Sequence, residues 1–139
     1  FNSFKDALLR HSLPLNDDLI AYGDFTEYSG YEGMKKILAS DKKPTAVFVC
    51  NDTMAIGAYR AIEECGLKIP ENISVIGFDN SYISQYMSPS LTTVNVSLPE
   101  IAKCSIDLLL ECINNNEIKA MQKTVNVQII KRNSCKKID

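Results

Sequence analysis

Short apolar runs rich in β-branched and aromatic residues recur along the chain, each closed by polar punctuation and followed by residues at helical spacing. Ile20-Ala21-Tyr22-Gly23-Asp24-Phe25, Ala46-Val47-Phe48-Val49-Cys50-Asn51-Asp52 and Ser74-Val75-Ile76-Gly77-Phe78-Asp79-Asn80 are the clearest. A continuous run of this kind predicts a parallel strand buried on both faces. Parallel strands need helical crossovers, and open parallel sheets bind ligands in the crevice beyond the carboxyl ends of their strands. Phe25, Asn51 and Asp79 would all stand there.

The spacing of Phe1, Phe4, Leu8 and Leu9 predicts a helix over about residues 2 to 12, ended by Pro14 because proline disfavours helix at the residue before it. A strand is expected from Asp18 to Asp24. A helix is expected over Ser29 to Leu38, with Tyr31, Met34, Ile37 and Leu38 on one stripe. Thr45 to Cys50 reads as the next strand. Asp52 is placed as N-cap of a helix reaching Cys65, with Gly66 as its stop. Ile73 to Phe78 follows as a strand, Tyr82 to Met87 as a short helix and Thr92 to Val96 as a strand. A long helix spans Ser97 to Asn114 and is closed by Asn114-Asn115-Asn116, and Thr124 to Ile130 alternates like a closing strand with one face to solvent. There are no internal repeats.

Stepping 100° per residue along the helix after Asp52 puts Met54, Ala58, Ala61, Ile62 and Cys65 on one side. Ile56 and Tyr59 fall away from that stripe, beside Glu63. A partner chain would cover them, although isolated apolar surface residues are common and need no partner.

Composition narrows the class. The chain has 139 residues, 45% of them hydrophobic and 23% charged, enough for one core. Its net charge of -2 provides no field for gripping phosphates, so any contact with DNA would need another segment. Cys50, Cys65, Cys104, Cys112 and Cys135 form no CxxC pair, and their odd count within apolar runs predicts reduced, buried thiols in a cytoplasmic protein. No apolar stretch approaches the roughly 18 to 20 residues that cross a bilayer, so no membrane role is expected. The helix that begins at Phe1 without a cap reads as cut from a longer chain.

Catalytic chemistry is sparse. His11, the single histidine, sits at a helix end among polar residues, and no Ser or Cys has an evident base beside it. GxSxG, HExxH, GxGxxG, the phosphate loop and metal-ligand spacing are all missing, so no catalytic residues, metal or cofactor are expected. Asp52 and Asp79 would pair as an acid and base across a cleft, but capping suffices to explain Asp52. Binding chemistry is better supplied. Phe25 offers a stacking face for a sugar or base, Asp79 accepts two hydroxyl hydrogen bonds, and Asn51 both donates and accepts. Each has a plainer alternative: a core aromatic, a turn residue and a cap before Ser81-Tyr82.

Longer motifs add a family. Thr45-Ala46-Val47-Phe48 with Asn51-Asp52-Thr53-Met54-Ala55-Ile56-Gly57-Ala58 forms the first. Gly66-Leu67-Lys68-Ile69-Pro70-Glu71-Asn72-Ile73-Ser74-Val75-Ile76-Gly77-Phe78-Asp79-Asn80, Pro89-Ser90-Leu91-Thr92-Thr93-Val94 and Arg132-Asn133-Ser134 follow. Together they resemble the LacI/GalR family of bacterial transcriptional regulators, over the C-terminal half of its effector-binding region. That resemblance implies an α/β fold, a three-layer Rossmann-like open parallel sheet of the periplasmic-binding-protein type I kind, present in part. Residues 1–93 would be the C-terminal subdomain. Residues 94–124 would be a crossover and a helix belonging to the other lobe of the intact protein, and 125–139 a returning strand and tail.

The same resemblance puts Phe25, Asn51 and Asp79 in an effector pocket, with a small sugar-like ligand favoured by Asn51. An arginine that the family sets just ahead of its Gly-Phe helix start, here Ser3-Phe4, would precede Phe1. Asn95-Val96-Ser97 and Ala102 depart from the family pattern, which bears on hinge geometry. The helix after Asn51-Asp52 and the segment Ser81 to Ser88 are implied in homodimerisation, which gives Ile56, Tyr59, Ile83 and Met87 a role. Operator DNA would be held by an upstream helix-turn-helix. In the usual strand order 2-1-3-4-5 the first strand would also lie upstream, and the chain alone is expected to dimerise or exchange elements. The alternative is a sugar-binding receptor of the same fold without a DNA-binding head.

Overall fold

Two helix starts organise the structure, a computed structural model that describes residues 1–115 and 122–137. Thr26 caps α2 (Glu27–Ala39) by accepting from the Ser29 N–H, and Asn51 caps α3 (Asp52–Glu64) by accepting from the Met54 N–H at 2.7 Å. The expected cap was Asp52. Asn51 takes the role because its backbone is extended, at φ -155° and ψ 165°, while Asp52 already lies within the helix. Gly66, with φ 71°, terminates α3 as expected.

α2 and α3 pack backbone to backbone. A methyl on Gly30 would overlap the Met54 carbonyl, and one on Gly57 the Glu27 carbonyl, so both positions require the absence of a side chain. Met34, Ile37 and Leu38 of α2 and Ala55, Ala58, Ala61 and Ile62 of α3 then form one core with Val49, Ile73, Val75 and Leu91. Tyr31 and Met54 are half-buried beside it, but Cys65 is exposed, because α3 ends before it can turn inward.

The sheet is open and mostly parallel. β1 (Ala46–Phe48), β2 (Ser74–Asp79), β3 (Thr92–Val96) and β4 (Val127–Ile130) lie in that order, with the first two pairings parallel and the last antiparallel. Phe48 faces Ile76 and Phe78 faces Val94 in register. β2 and the start of β3 are buried, whereas β1 is largely exposed and not, as its sequence implied, covered on both faces. β1 occupies the rim of the sheet and has a ladder partner on one side only.

Ile20 to Asp24 is not a strand. Asp17–Leu19 forms a short 3-10 turn, and the following residues have no ladder partner among the described residues. Other differences are smaller. α1 covers Asn2–Arg10, Tyr82–Gln85 is a 3-10 turn, and β4 is shorter than its alternation suggested. α4 (Leu98–Asn115) stands apart, with Leu98, Ile106, Leu109, Leu110 and Ile113 exposed. Asn116, expected at its end, lies outside the described residues. The cysteines are free, as anticipated, but none is buried: Cys50, Cys65 and Cys135 are exposed and Cys104 and Cys112 intermediate.

Candidate functional site

Asn51 and Asp79 lie at equal chain distance beyond the paired residues Phe48 and Ile76, so parallel register brings both to the carboxyl ends of adjacent strands. Phe25 joins them from the start of α2. The Asn51 side-chain N–H donates to the Phe25 carbonyl at 3.1 Å while its oxygen caps α3, so one amide ties the two helix starts together. Asn51 is thus a turn and cap residue as well as a candidate reader. Its plainer role is real. Phe25 is different: at 65% exposed it is no core aromatic.

Backbone strain marks the same residues. Phe25 has φ 68°, Asp79 101° and Asn80 52°, a left-handed region that side chains other than glycine rarely occupy. Such strain persists where the surroundings over-determine it, typically at ligand sites. Around Phe25, the Asp24 carboxylate accepts from the Thr26 N–H and, at 2.6 Å, from its hydroxyl, while Ser29 Oγ accepts the Asp24 N–H. The Thr26 hydroxyl holds the Asp24 carboxyl below its ordinary range, assisted by Ser29. Gly23 permits this turn because a Cβ there would come within 2.5 Å of Met54 Cε and 2.7 Å of Ser29 Oγ.

Asp52 is the pivot on the other side. It is 1% exposed, and its carboxylate accepts the Thr93 hydroxyl at 2.6 Å and the Ser81 N–H at 2.7 Å. It therefore binds the first turn of α3 to β3 and to the loop after Asp79. Gly77 leaves room for it, since a methyl there would strike Asp52 Oδ1. Asp52 is closed off from solvent and each of its oxygens holds a structural bond, so the imagined pair with Asp79 is a buried structural carboxylate beside an exposed one. Partial burial raises the Asp79 carboxyl above its ordinary value of 3.8, and the Asp52 charge adds to the rise. Asp79 does not cap the turn after it, whose start at Ser81 has no side-chain cap.

A second ring of polar groups lies behind Asp79. Asn80 donates its side-chain N–H to Asn95 at 2.9 Å and its backbone N–H to the Thr93 hydroxyl. Arg132 donates to Asn80 Oδ1 at 2.7 Å, to the Leu91 carbonyl at 2.7 Å and to Ser84 Oγ at 3.0 Å. Ser134, fully buried, donates to the Val75 carbonyl and accepts the Thr92 N–H. Arg132 and Ser134 entered the sequence reading only as part of a motif. Their contacts cross 40 residues or more of chain, and local spacing carries no sign of them.

An apolar groove of about 440 Å³ adjoins the crevice, lined among others by Phe25, Tyr22, Phe48, Met54, Phe1 and Phe4. Asn51 and Asp79 do not line it. Polar crevice and apolar groove meet at Phe25.

Away from the crevice, Ile56 is half-buried and Ile83 is 42% exposed, between Tyr82 and Tyr86, whose tilted rings have centroids 4.8 Å apart. Met87 and Tyr59 pack partly against the core, so Tyr59 is less free than its position on the helix wheel suggested. Its hydroxyl donates to the Pro89 carbonyl at 3.1 Å. Burial pushes that phenol up to about 12. The unfolded phenol ionises first, near its ordinary value of 10.0, so this contribution to stability is whole below pH 10.0 and is lost as pH rises toward 12. Tyr59→Phe should cost about 1 kcal/mol at neutral pH and flatten that alkaline loss, as urea titrations between pH 9 and 12 would show.

Among the described residues no cluster of His, Cys, Asp and Glu could hold a metal, and no helix is long and apolar enough to cross a membrane. The periplasmic binding protein-like domain family matches residues 1–135. The HTH-type transcriptional repressor PurR of Pasteurella multocida is 41% identical over 136 residues, which are 98% of this chain and 41% of that protein. A LacI family transcriptional regulator from Enterococcus faecium, solved with bound ribose, superposes with a TM-score of 0.81 at 34% identity, covering 98% of this chain and 50% of that one. The lac repressor dimer bound to operator and the anti-inducer ONPF superposes with a TM-score of 0.85 at 32% identity, over 96% and 46% of the two chains. The chain thus spans less than half the length of the curated relative.

Proposed function

The chain belongs to the periplasmic binding protein-like domain family, and we propose that, as part of the effector-binding domain of a LacI/GalR-type regulator, it senses a small sugar-like effector on behalf of a DNA-binding repressor. One observation carries the reading: Phe25 and Asp79, both exposed and both held in left-handed backbone, converge with Asn51 at the carboxyl ends of β1 and β2. Phe25 supplies the stacking face, Asp79 accepts from ring hydroxyls, and Asn51 fixes the turn that presents Phe25 while offering its amide edge. Binding, not catalysis, is what this inventory supports. Ribose in the Enterococcus faecium relative favours a sugar.

In this reading a ligand held between two lobes changes their relative orientation, by the difference in its affinity for the two states. Residues 1–93 act as one lobe, 94–124 pass to the other, and 125–139 return. Operator DNA is contacted by a helix-turn-helix elsewhere in the protein, as the name of the Pasteurella multocida relative suggests, and the setting is the cytoplasm. A homodimer forms over Ile56, Tyr59, Ile83 and Met87, to which the exposed rings of Tyr82 and Tyr86 add aromatic surface typical of interfaces. Calorimetric titration of the full-length protein with sugars, sugar phosphates and purines tests this. A sugar should bind and shift operator affinity; tight purine binding with no sugar response would overturn the sugar assignment.

A further inference from the structure

Arg132 is half-buried, and the three hydrogen bonds its guanidinium makes all go to neutral acceptors: Asn80 Oδ1, the Leu91 carbonyl and Ser84 Oγ. It forms no ion pair among the described residues. A guanidinium placed without a carboxylate partner is held for its fork of fixed donors more than for its charge. Its Asn80 contact is the informative one. Asn80 and Asp79 are consecutive left-handed residues, and a pair of these needs external restraint to persist. Asn80 is restrained at three points: its backbone N–H by Thr93, its side-chain N–H by Asn95, and its side-chain oxygen by Arg132.

We propose that Arg132 is a positioning residue for the effector crevice, clamping Asn80 and through it the backbone turn that aims the Asp79 carboxylate. This rests on Asp79 being an effector contact. The backbone of Arg132 is itself anchored, its N–H donating to the Thr92 hydroxyl at 3.0 Å beside the buried Ser134. The clamp therefore ties the carboxyl end of β2 to the segment that follows β4. Loss of the fork lets Asn80 relax toward ordinary backbone, which turns the Asp79 side chain away from the crevice without unfolding β2.

The test compares Arg132→Lys, Asn80→Ala, their double variant and Asn80→Asp in the full-length protein, with two measurements. Amide hydrogen exchange over Asp79 to Ser81, without ligand, should quicken about tenfold in the first three and clearly less in Asn80→Asp, which keeps the acceptor for Arg132 and gives up only the donor bond to Asn95. Affinity for D-ribose, by calorimetry, should fall about tenfold in each single variant and no further in the double. Exchange unchanged in Arg132→Lys overturns the proposal, as does exchange in Asn80→Asp as fast as in Asn80→Ala. Losses that multiply to about a hundredfold in the double overturn it too, because Arg132 would then act through Ser84 and Leu91 alone. Should the wild-type protein bind no ribose, the sugar reading fails while the exchange data still decide the clamp.

Discussion

Replacing Asp52 with alanine is expected to cost about 3–5 kcal/mol of stability, since it removes a buried charge-assisted acceptor shared by three elements. The Thr93 hydroxyl and the Ser81 N–H would both lose their acceptor in a site closed to water, at the junction of α3, β3 and the loop after Asp79. Asp52→Asn is the informative contrast. Its amide oxygen can still accept the Ser81 N–H, and its NH₂ can donate to the Thr93 hydroxyl, which reverses its own bond. About 1 kcal/mol is expected for that change. Urea unfolding of the two variants separates these outcomes. Equal losses would mean that the charge, not the acceptor count, is what the junction needs.

Asp52 also shows where sequence reasoning stopped. Asn51 and Asp52 are both good capping residues, and adjacent caps cannot be ranked without backbone angles. The structure gives the cap to Asn51 and buries Asp52 against residues that are 29 and 41 positions away. By contrast Gly66, the bounds of β3 and the placement of Asn51 and Asp79 beyond adjacent strands were legible, because turn chemistry and apolar run length are local. The Ile20 to Asp24 segment failed as a strand for a related reason. A strand is a property of a pair, and composition alone does not supply a neighbour. The left-handed backbone at Phe25 and Asp79 was invisible in the same way, since neither residue type announces it. Gly23 was the one local sign near Phe25. The cysteines misled because residence in an apolar run does not say which face of the run is covered, and Cys50 and Cys65 lie just past the ends of β1 and α3.

Asp79→Asn should weaken effector binding at least about a hundredfold, the loss expected for two hydroxyl bonds to a charged acceptor, while making the protein slightly more stable. The second half follows from sign. Burial, with the Asp52 charge behind it, raises the Asp79 carboxyl above 3.8, so the folded state holds this proton more tightly than the unfolded chain does. Its favourable contribution is whole at pH below 3.8 and is lost as pH rises through the folded value, so at neutral pH the ionised group is a liability to the fold. Asparagine removes that liability and tolerates left-handed backbone well, which suits φ 101°. The stability advantage of the variant should therefore vanish on acidification, in the same range where wild-type affinity falls as Asp79 takes up a proton. An affinity loss unaccompanied by any stability gain would place the function of Asp79 in holding its turn. A stability gain with affinity intact would remove it from the effector site, leaving Phe25 and Asn51 to carry recognition.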